Sequence, residues 1–295
     1  MQCVSIVIPV YNTENEIQRT IDSLLHQTYP NIEIIVIDDG STDQSAKIVH
    51  EMMQTHSQIK YYYQKNQGVS VARNYGIQKA TGELLMFVDS DDYVSGDYVS
   101  KMVEALEDYD LVVCGVETPG KVNNNFPMVK EKTVVSSLEH LKDILTMNNC
   151  SYVIWNKLYR KALFNQTHIH FEENYRYEDM IFAYEIALNV HQVVYFPDKL
   201  YHYCTRENSY IATIPQNRGK QYIEAILKVK ELLEKHEIIP LVSNEYYQFM
   251  LINHYLLSQL FIGTRQGLTL ENYEQSAKVL MDLVREARNI KNETY

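Results

Sequence analysis

The sequence lacks the patterns that identify most zinc-binding, disulfide-bonded and nucleic-acid-binding proteins. Its four cysteines lie far apart and include no Cys-x-x-Cys pair, so the sequence indicates neither a zinc site nor a disulfide framework. The formal net charge of -11 argues against broad nucleic-acid binding, although a local basic pocket stays compatible with it. Hydrophobic residues make up 45% of the 295 residues, which is enough to bury a sizeable core.

We also expect no secretion signal and no membrane span. The chain enters a strand-like apolar run without a basic region or a cleavage site. This predicts a protein that lies in the cytoplasm or at the inner face of the cell membrane. Residues 246–263 carry no charge and reach the lower limit of about 18 residues for a membrane span. Polar side chains such as Gln248, Asn253 and His254 interrupt this segment, which favours a helix buried against its neighbours or in a subunit contact.

Short apolar runs and amphipathic segments alternate over the first 118 residues. The runs have the length of buried strands, and the segments between them show helical periodicity. This alternation predicts an α/β fold in which a mostly parallel central sheet is flanked by helices. In addition, Thr13-x-x-Glu16 predicts a capping box at the start of the first helix. The predicted strands span residues 4–10, 32–37, 59–63, 84–88 and 111–116.

The pattern changes after about residue 120. Residues 121–132 contain consecutive asparagines and predict a loop. From about residue 216 the periodicity is helical to the end of the sequence, with segments at 217–237, 244–263 and 270–290. The sequence therefore predicts a C-terminal helical region after the α/β part.

Polar residues follow the predicted strands at their carboxyl ends. Tyr11, Asp39, Gly68, Asp89 and Asp91 all occupy such positions. Because ligands of parallel α/β sheets bind beyond these ends, we expect the five residues to share one crevice. The fingerprint Gly-x-Gly-x-x-Gly and the P-loop are both absent, so a nucleotide would be held differently. Tyr11 can stack on a base, and Asp39 can accept a hydrogen bond from that base. The alternatives are that Tyr11 is a turn residue and that Asp39 caps a helix.

The apolar run 84–88 ends in the carboxylates Asp89, Asp91 and Asp92. Alternate side chains of an extended backbone share a face, so Asp89 and Asp91 can point the same way. Converging carboxylates repel each other unless a cation or a proton lies between them. Mg²⁺ and Mn²⁺ prefer such oxygen ligands and commonly bind phosphate oxygens as well. A solvated turn in which an aspartate caps the next helix is the alternative interpretation.

A set of motifs in this chain resembles glycosyltransferase family 2. Their order and spacing match that family over residues 4–210. The resemblance implies a GT-A fold, a nucleotide-sugar donor that is usually UDP-linked, a Mn²⁺ or Mg²⁺ ion, and inversion at the anomeric carbon. Residues 155–160 and 201–209 look like members that build bacterial capsule, exopolysaccharide or teichoic-acid sugars. The matching motifs are Val7-Ile8-Pro9-Val10-Tyr11-Asn12, Ile37-Asp38-Asp39-Gly40-Ser41-Thr42-Asp43, Gly68-x-x-x-Ala72-Arg73-Asn74-x-Gly76, Gly82-x5-Val88-Asp89-Ser90-Asp91-Asp92 and Glu178-Asp179.

The resemblance implies a site for the donor and its metal ion. Asp91 is the implied metal ligand, and Asp89 contacts the metal or the ribose. Arg73 and Arg206 would form charge-assisted hydrogen bonds with the phosphates, unless they are surface arginines on a helix and a loop. The implied donor-binding residues are Pro9, Tyr11, Asn12, Asp39, Gly68, Arg73, Asp89, Ser90 and Arg206.

The resemblance also places the catalytic base in the pair Glu178-Asp179. We assign the base role to Asp179, with Glu178 raising the pKa of the pair, although the two roles are interchangeable. Acidic residues at a helix start are also favoured by the helix dipole, which is the structural alternative.

Further candidates come from the later part of the matching region. Trp155, Asn156 and Lys157 are candidate acceptor-binding residues, although a lone tryptophan is more often part of a core. His202 is a candidate metal ligand, although a histidine between two tyrosines on a strand is more often structural.

The sequence therefore predicts an inverting, metal-dependent glycosyltransferase of the hexosyl- or N-acetylhexosaminyltransferase class. It would move a sugar from a UDP-sugar to a hydroxyl of a cell-surface glycan, with a glycan or lipid-linked glycan as acceptor and no nucleic acid as partner. The expected domains are a GT-A domain at 1–215, with nucleotide-binding (1–118) and acceptor-binding (119–215) halves, and a helical region at 216–295. The C-terminal helices are candidates for peripheral membrane contact or for a homo-oligomer contact.

Two other functions stay open on the sequence. A sugar-nucleotide nucleotidyltransferase also uses a parallel sheet and carboxylate-bound Mg²⁺, but is expected to have a glycine-rich phosphate loop where Pro9-Val10-Tyr11-Asn12 stands. A non-catalytic, nucleotide-sugar-binding assembly subunit is disfavoured because Asp89, Asp91 and Asp179 are all present.

Overall fold

The computed structural model describes residues 1–119, 129–167, 169–205, 218–263 and 270–294. Within these residues the chain forms nine strands, ten α-helices and a 3₁₀ helix at Ile239–Val242. The strands are β1 (Val4–Val10), β2 (Ile32–Asp38), β3 (Ile59–Tyr63), β4 (Leu84–Phe87), β5 (Tyr93–Val94), β6 (Leu111–Glu117), β7 (Thr133–Ser136), β8 (Lys157–Arg160) and β9 (Gln192–His202). The helices are α1 (Ile17–Leu25), α2 (Ser45–Met53), α3 (Val69–Lys79), α4 (Tyr98–Leu106), α5 (Ser137–Thr146), α6 (Ala162–Thr167), α7 (Glu178–Asn189), α8 (Arg218–Lys235), α9 (Ser243–Gly263) and α10 (Leu270–Glu293).

The strands form one mixed sheet in the order β3-β2-β1-β4-β8-β6-β9-β5, with β7 paired to β9. β1 lies parallel to β2 and β4, and β2 lies parallel to β3, which confirms the α/β fold predicted from the alternation. β1 and β4 are buried along their whole length, as is typical of strands covered on both faces. β8 is antiparallel to both of its neighbours, β4 and β6, so the sheet is not parallel throughout.

Besides the two-residue β5, two short strands lie where the sequence pattern did not predict them. β8 lies in the stretch that contains the only tryptophan, and β7 follows the predicted loop 121–132, most of which falls outside the described residues. Both strands pair with partners that are distant in the sequence. Their four-residue runs carry too little periodicity to identify them as strands without those partners.

The predicted capping box at Thr13 and Glu16 is wrong. α1 begins at Ile17, and Glu16 occupies the N-cap position without a side-chain capping bond. The Thr13 carbonyl instead accepts hydrogen bonds from the N–H groups of Glu16 and Ile17, while its own N–H donates to Ser45 Oγ of α2. A turn therefore separates Thr13 from the helix, and Thr13 joins the start of α1 to α2.

The chain divides into two compact units. The first contains the described residues of Met1–Ser137, Val153–Asn174 and Asn189–Thr205, and it includes the whole sheet. The second contains Leu138–Tyr152, Tyr175–Leu188 and the described residues from 218 onward. A boundary at residue 215 does not coincide with this division, because α5 and α7 cluster with the C-terminal helices.

The predicted C-terminal helical region is present as α8, α9 and α10. In the described part of the chain, no helix combines the length and the apolar character that a membrane crossing requires.

A buried carboxylate joins three strands at the amino-terminal end of the sheet. Glu33 is 5% exposed and accepts hydrogen bonds from Ser5 Oγ at 2.5 Å, from Thr81 N at 2.6 Å and from Gly82 N at 3.2 Å. Lys60 of β3 forms an ion pair with the same carboxylate. Burial by itself raises the pKa of Glu33, but the hydrogen bonds from Lys60, Ser5 and Thr81 outweigh it and lower the pKa to about 2.

Replacing Glu33 by Gln should lower the free energy of unfolding by about 2 kcal/mol, because buried donors lose a charged acceptor. Since the folded-state pKa lies below the usual 4.5, the stability that Glu33 contributes is present above pH 4.5 and is lost as the pH falls towards 2. Urea denaturation at several pH values measures both effects.

Glu83→Gln is the matched control, because Glu83 also accepts a backbone N–H, that of Cys3, but lies exposed at the surface. The control should change the free energy of unfolding by less than about 0.5 kcal/mol. Equal effects of the two substitutions would refute the role assigned to Glu33.

Candidate active site

The carboxyl ends of β1, β2 and β4 lie side by side. Asp39 N–H donates to Val10 O at 2.8 Å, which extends the β1–β2 pairing beyond both strands. Val88 N–H donates to Val7 O at 3.0 Å, which does the same for β1 and β4. The polar residues that follow these strands therefore start from neighbouring points of one sheet edge.

The turn after β1 presents an aromatic ring to solvent. The Tyr11 side chain is 50% exposed, whereas Pro9 is buried within β1. Asn12 has a φ of 51°, and its Oδ1 accepts a hydrogen bond from Thr42 N at 2.8 Å. Its own N–H donates to Ser41 Oγ at 3.1 Å. Asn12 thus ties the turn after β1 to the turn after β2 and leaves the Tyr11 ring accessible.

Asp39 holds the loop between β3 and α3. Its carboxylate is 4% exposed and accepts hydrogen bonds from Gln64 Nε2 at 2.7 Å, Gln67 N at 2.8 Å and Gly68 N at 2.9 Å. Gly68 has a φ of 95°, a conformation that side chains with a Cβ rarely adopt. Oδ2 accepts the Gly68 N–H, and a carboxylate oxygen can accept a second hydrogen bond, so Oδ2 has acceptor capacity for a ligand.

Asp89 has a buried cationic partner. The side chain of Arg73 is 5% exposed, and its Nη2 lies 3.1 Å from Asp89 Oδ1, whose own side chain is 26% exposed. The guanidinium also lies over the Phe171 ring, 5.3 Å from the ring centroid. The predicted surface-arginine alternative is wrong for Arg73, because α3 turns this side chain inwards to Asp89.

Helix α1 holds the carbonyl groups of the Asp89–Asp92 turn. Thr20 Oγ1 lies 3.0 Å from Ser90 O and 2.6 Å from Asp92 O. Arg19 Nη2 donates to Asp91 O at 2.6 Å, and Asp92 N donates to Asp89 O at 3.1 Å. These bonds fix the backbone of the turn that carries Asp89 and Asp91.

The third carboxylate of the turn, that of Asp92, differs from those of Asp89 and Asp91 in its burial. Asp92 is fully buried, and its oxygens accept hydrogen bonds from Tyr201 Oη and Cys204 N, both at 2.7 Å. Burial, and to a smaller extent the neighbouring Asp89 carboxylate, raises the pKa of Asp92 well above that of an ordinary aspartate. Of the three carboxylates of the turn, those of Asp89 and Asp91 are therefore the candidates for holding a cation.

The sequence did not identify Asp92 and Tyr201 as site residues. Asp92 was visible as the third acidic residue of its motif, but its burial depends on β9, which is distant in the sequence. Tyr201 lies in a strand whose apolar pattern gives no sign that its hydroxyl reaches the Asp89–Asp92 turn.

A divalent ion fits the chemistry of Asp89 and Asp91. The described residues contain no group of three or more His, Cys, Asp and Glu side chains that could hold a metal. Mg²⁺ commonly binds proteins through one or two carboxylates and completes its shell with water and substrate phosphates. Two carboxylates on a rigid turn are consistent with an ion that arrives with a phosphate ligand.

His202 is engaged elsewhere. Its Nε2 lies 3.0 Å from Ser95 Oγ, and its ring stacks on Tyr93 with the centroids 4.5 Å apart. The Nδ1 atom lies 3.3 Å from a Glu117 carboxylate oxygen. Burial lowers the pKa of His202, although Glu117 opposes this shift. These contacts match the structural role that the sequence offered as the alternative to metal binding.

The three candidate acceptor residues lie in the interior. Trp155 is 8% exposed and stacks on Tyr201 with the ring centroids 4.3 Å apart. Asn156 donates from Nδ2 to Cys114 O at 2.8 Å, and Lys157 Nζ donates to Asn156 Oδ1 at 3.0 Å. Because Asn156 and Lys157 are 1% and 2% exposed, their polar groups serve the packing of β6 and β8.

The candidate base belongs to the second unit. Glu178 and Asp179 form the first turn of α7, where the helix dipole favours acidic residues, and Glu178 is 6% exposed. Burial raises the pKa of Tyr152, and the neighbouring Tyr177 and Asp179 add to this shift. Asp179 therefore lies near a buried tyrosine in that unit. The candidate phosphate ligand Arg206 lies outside the described residues.

Replacing Asp39 by Asn should loosen the loop before α3. The two carboxylate oxygens accept the N–H groups of Gln67 and Gly68 separately, whereas an amide keeps one oxygen and its nitrogen cannot accept the other N–H. We expect a loss of about 1–2 kcal/mol in the free energy of unfolding and faster amide exchange at Gln67 or at Gly68. Hydrogen exchange followed by NMR measures this change. The Ser41 amide, which donates to Asp38, is the internal control. Unaltered exchange at Gln67 and Gly68 would contradict the proposed role.

Comparison with known proteins identifies the family. The profile of Glycosyl transferase family 2 matches residues 5–171. The glycosyltransferase GlyA of Streptococcus pneumoniae serotype 4 is 34% identical over 217 residues, which cover 70% of this chain and 31% of GlyA. This chain therefore spans about a third of GlyA. TarS of Staphylococcus aureus, a poly(ribitol-phosphate) β-N-acetylglucosaminyltransferase, is 27% identical over 271 residues, which cover 87% of this chain and 46% of TarS.

Solved structures share the fold. The crystal structure of S. aureus TarS 1–349 in complex with UDP-GlcNAc has a TM-score of 0.67 at 22% identity, covering 99% of this chain and 92% of that chain. The mannosyltransferase PcManGT from Pyrobaculum calidifontis, in complex with GDP-Man and Mn²⁺, has a TM-score of 0.62 at 17% identity, covering 99% and 84%. These likenesses confirm the predicted GT-A fold. The chain thus belongs to glycosyl transferase family 2 and is a glycosyltransferase.

Proposed function

We propose that this glycosyltransferase inverts the anomeric centre and moves a sugar from a UDP-sugar to a hydroxyl of a cell-surface glycan, with the help of Mn²⁺ or Mg²⁺. The observation that carries the proposal is the rigid Asp89–Asp92 turn, which offers two carboxylates at the sheet edge where Tyr11 and Asp39 also lie. The TarS neighbour is described in complex with UDP-GlcNAc, which favours UDP as the nucleotide.

The nucleotide would bind beyond β1, β2 and β3. The accessible Tyr11 ring can stack on the base, and Asp39 Oδ2 can accept a hydrogen bond from a base N–H while Oδ1 holds the loop. The position of Gly68 at the start of α3 brings a helix N-terminus near this edge, which suits negatively charged groups. In this proposal, donor binding also depends on Pro9, Asn12 and Ser90, which contribute through the main chain and the turns that they form.

The diphosphate would bind at Asp91 and Asp89. Asp91 and Asp89 would hold a divalent ion, which as a Lewis acid would neutralise charge on the departing diphosphate. Arg73 keeps the Asp89 carboxylate in place through its ion pair, and Arg206 is proposed as a phosphate ligand on the strength of the resemblance. The mannosyltransferase neighbour is described with GDP-Man and Mn²⁺, which supports a metal ion in this fold.

Inversion requires one displacement with a base on the acceptor. We assign this role to Asp179, which takes the proton of the acceptor hydroxyl as its oxygen bonds to the anomeric carbon. The bond from that carbon to the phosphate oxygen breaks in the same step, and UDP leaves. Glu178 would tune the basicity of Asp179 through its negative charge.

The acceptor is proposed to be a glycan or a lipid-linked glycan of the cell envelope. TarS is named as a poly(ribitol-phosphate) β-N-acetylglucosaminyltransferase, which favours a polymeric acceptor. Leu251 and Tyr255 of α9 are 41% and 61% exposed. We therefore also propose that the C-terminal helices contact a membrane surface or a second subunit. The family match disfavours the alternative of a nucleotidyltransferase.

Titration calorimetry with UDP tests the metal site. Wild-type protein should bind UDP more tightly with Mn²⁺ than without it, and Asp91→Ala should weaken the Mn²⁺-dependent binding more than about tenfold, since the ion loses a ligand. Asp97→Ala is the matched control, because Asp97 is a partly exposed carboxylate paired with Lys101. Metal-independent UDP binding that Asp91→Ala leaves unchanged would overturn the proposal.

Asp179→Asn should slow the sugar transfer without weakening the binding of the donor nucleotide. Loss of the base should lower the rate of sugar transfer about a hundredfold or more, while the affinity for UDP with Mn²⁺ stays within about twofold of wild type. UDP release and calorimetry measure the two quantities. Glu173→Gln, at an exposed acidic residue, should leave both unchanged. A normal transfer rate in Asp179→Asn would assign the base elsewhere.

A further inference from the structure

An aromatic cluster of Tyr98, Trp155, Tyr201 and Tyr203 packs beside the Asp89–Asp92 turn. Trp155 stacks on Tyr201 with the ring centroids 4.3 Å apart and on Tyr203 with the centroids 5.6 Å apart. Tyr98 meets the Tyr201 ring edge-on at 6.3 Å, and its hydroxyl donates to Trp155 O at 3.0 Å. Because Tyr201 is completely buried among these rings, its side chain has a fixed position.

The Tyr201 hydroxyl connects two residues of the turn. It accepts the Asp89 N–H at 3.2 Å and donates to Asp92 Oδ2 at 2.7 Å. The other Asp92 oxygen accepts Cys204 N–H at 2.7 Å, just after the end of β9. One hydroxyl and one carboxylate thus join the turn after β4 to the chain that leaves β9.

The Asp89 N–H lies beyond the end of β4, so it is not part of the β1–β4 ladder. The direction of its peptide plane helps decide where the Asp89 carboxylate points, since side-chain direction follows from the backbone dihedrals. Arg73 restrains the same carboxylate from the opposite end, at Oδ1. Asp89 is therefore held at its main chain by Tyr201 and at its side chain by Arg73.

We propose that Tyr201 and Asp92 are positioning residues for the metal-bound donor. They would set the backbone of Asp89 and keep β9 attached to the turn, without contacting the ion or the nucleotide. This inference rests on the proposed binding of a metal and a nucleotide diphosphate at Asp89 and Asp91. Supporting partners of metal ligands commonly change metal affinity by about 10- to 100-fold when they are removed.

Tyr201→Phe tests the proposal, because it keeps the ring in the cluster and removes only the hydroxyl. We expect it to weaken the Mn²⁺-dependent affinity for UDP about tenfold and to raise the Mn²⁺ concentration needed for half-maximal UDP binding. Calorimetry measures both, and thermal unfolding of the same samples measures the loss of stability.

Tyr98→Phe is the matched control. Tyr98 is equally buried, lies in the same cluster and also donates from its hydroxyl, but to Trp155 O rather than to the turn. It should lower the melting temperature to a similar extent while leaving the affinity for UDP with Mn²⁺ within about twofold of wild type. If both variants behaved alike in UDP binding, Tyr201 would have only a structural role.

Asp92→Asn provides an independent test. It keeps one oxygen that can accept an N–H, but it replaces the second oxygen with an amide nitrogen that cannot accept the Tyr201 hydroxyl. The Mn²⁺-dependent affinity should fall as in Tyr201→Phe, and the double variant should lose little more, because both changes break one connection. Additive losses would contradict a shared connection.

The outcomes distinguish this inference from the proposed function. If wild-type protein binds UDP with Mn²⁺ while Tyr201→Phe and Asp92→Asn bind it equally well, the positioning role is refuted and the proposed function stands. If wild-type protein binds no UDP with or without Mn²⁺, the proposed function fails and the positioning role fails with it.

Discussion

Repulsion among the acidic groups of the Asp89–Asp92 turn is the constraint on which the candidate site depends. Three carboxylates within four residues cannot all face solvent at close range without cost. The three carboxylates have different surroundings. Asp92 is fully buried and accepts hydrogen bonds from two donors, and Asp89 forms an ion pair with Arg73. The main-chain carbonyl of Asp91 accepts a hydrogen bond from Arg19 of α1. Asp89 and Asp91 are the two carboxylates of this turn that we propose as ligands of a cation that brings phosphate with it.

Carboxylates also accept hydrogen bonds at the neighbouring strand ends. Asp38 and Asp39 are adjacent carboxylates, and each accepts hydrogen bonds that organise a loop: Asp38 from Ser41 N and Tyr61 Oη, Asp39 from the loop before α3. At the opposite end of the sheet, Glu33 serves β1, β3 and β4 in a comparable way. Buried carboxylates therefore stabilise both ends of the parallel strands, and the donor site that we propose lies at the carboxyl end.

Much of the fold was predictable because the strands of the first half are buried on both faces and appear as continuous apolar runs. The C-terminal helices were predictable from their periodicity. β7 and β8 were not, because four residues carry no usable period and both strands depend on partners far along the chain. The capping box at Thr13 failed for a similar reason, since Ser45 of α2 takes the Thr13 N–H and a turn delays the helix.

The sequence by itself determined the alternation of strands and helices, the place of Tyr11, Asp39, Asp89 and Asp91 at strand ends, and the family to which the chain belongs. Only the tertiary structure decided which polar groups face inwards. It directs Arg73 to Asp89, assigns Tyr201 to the Asp89–Asp92 turn, and places Trp155 among tyrosines. The physical reason is that periodicity records local burial, whereas hydrogen-bond partners separated by more than a hundred residues, such as Asp92 and Tyr201, are chosen by packing.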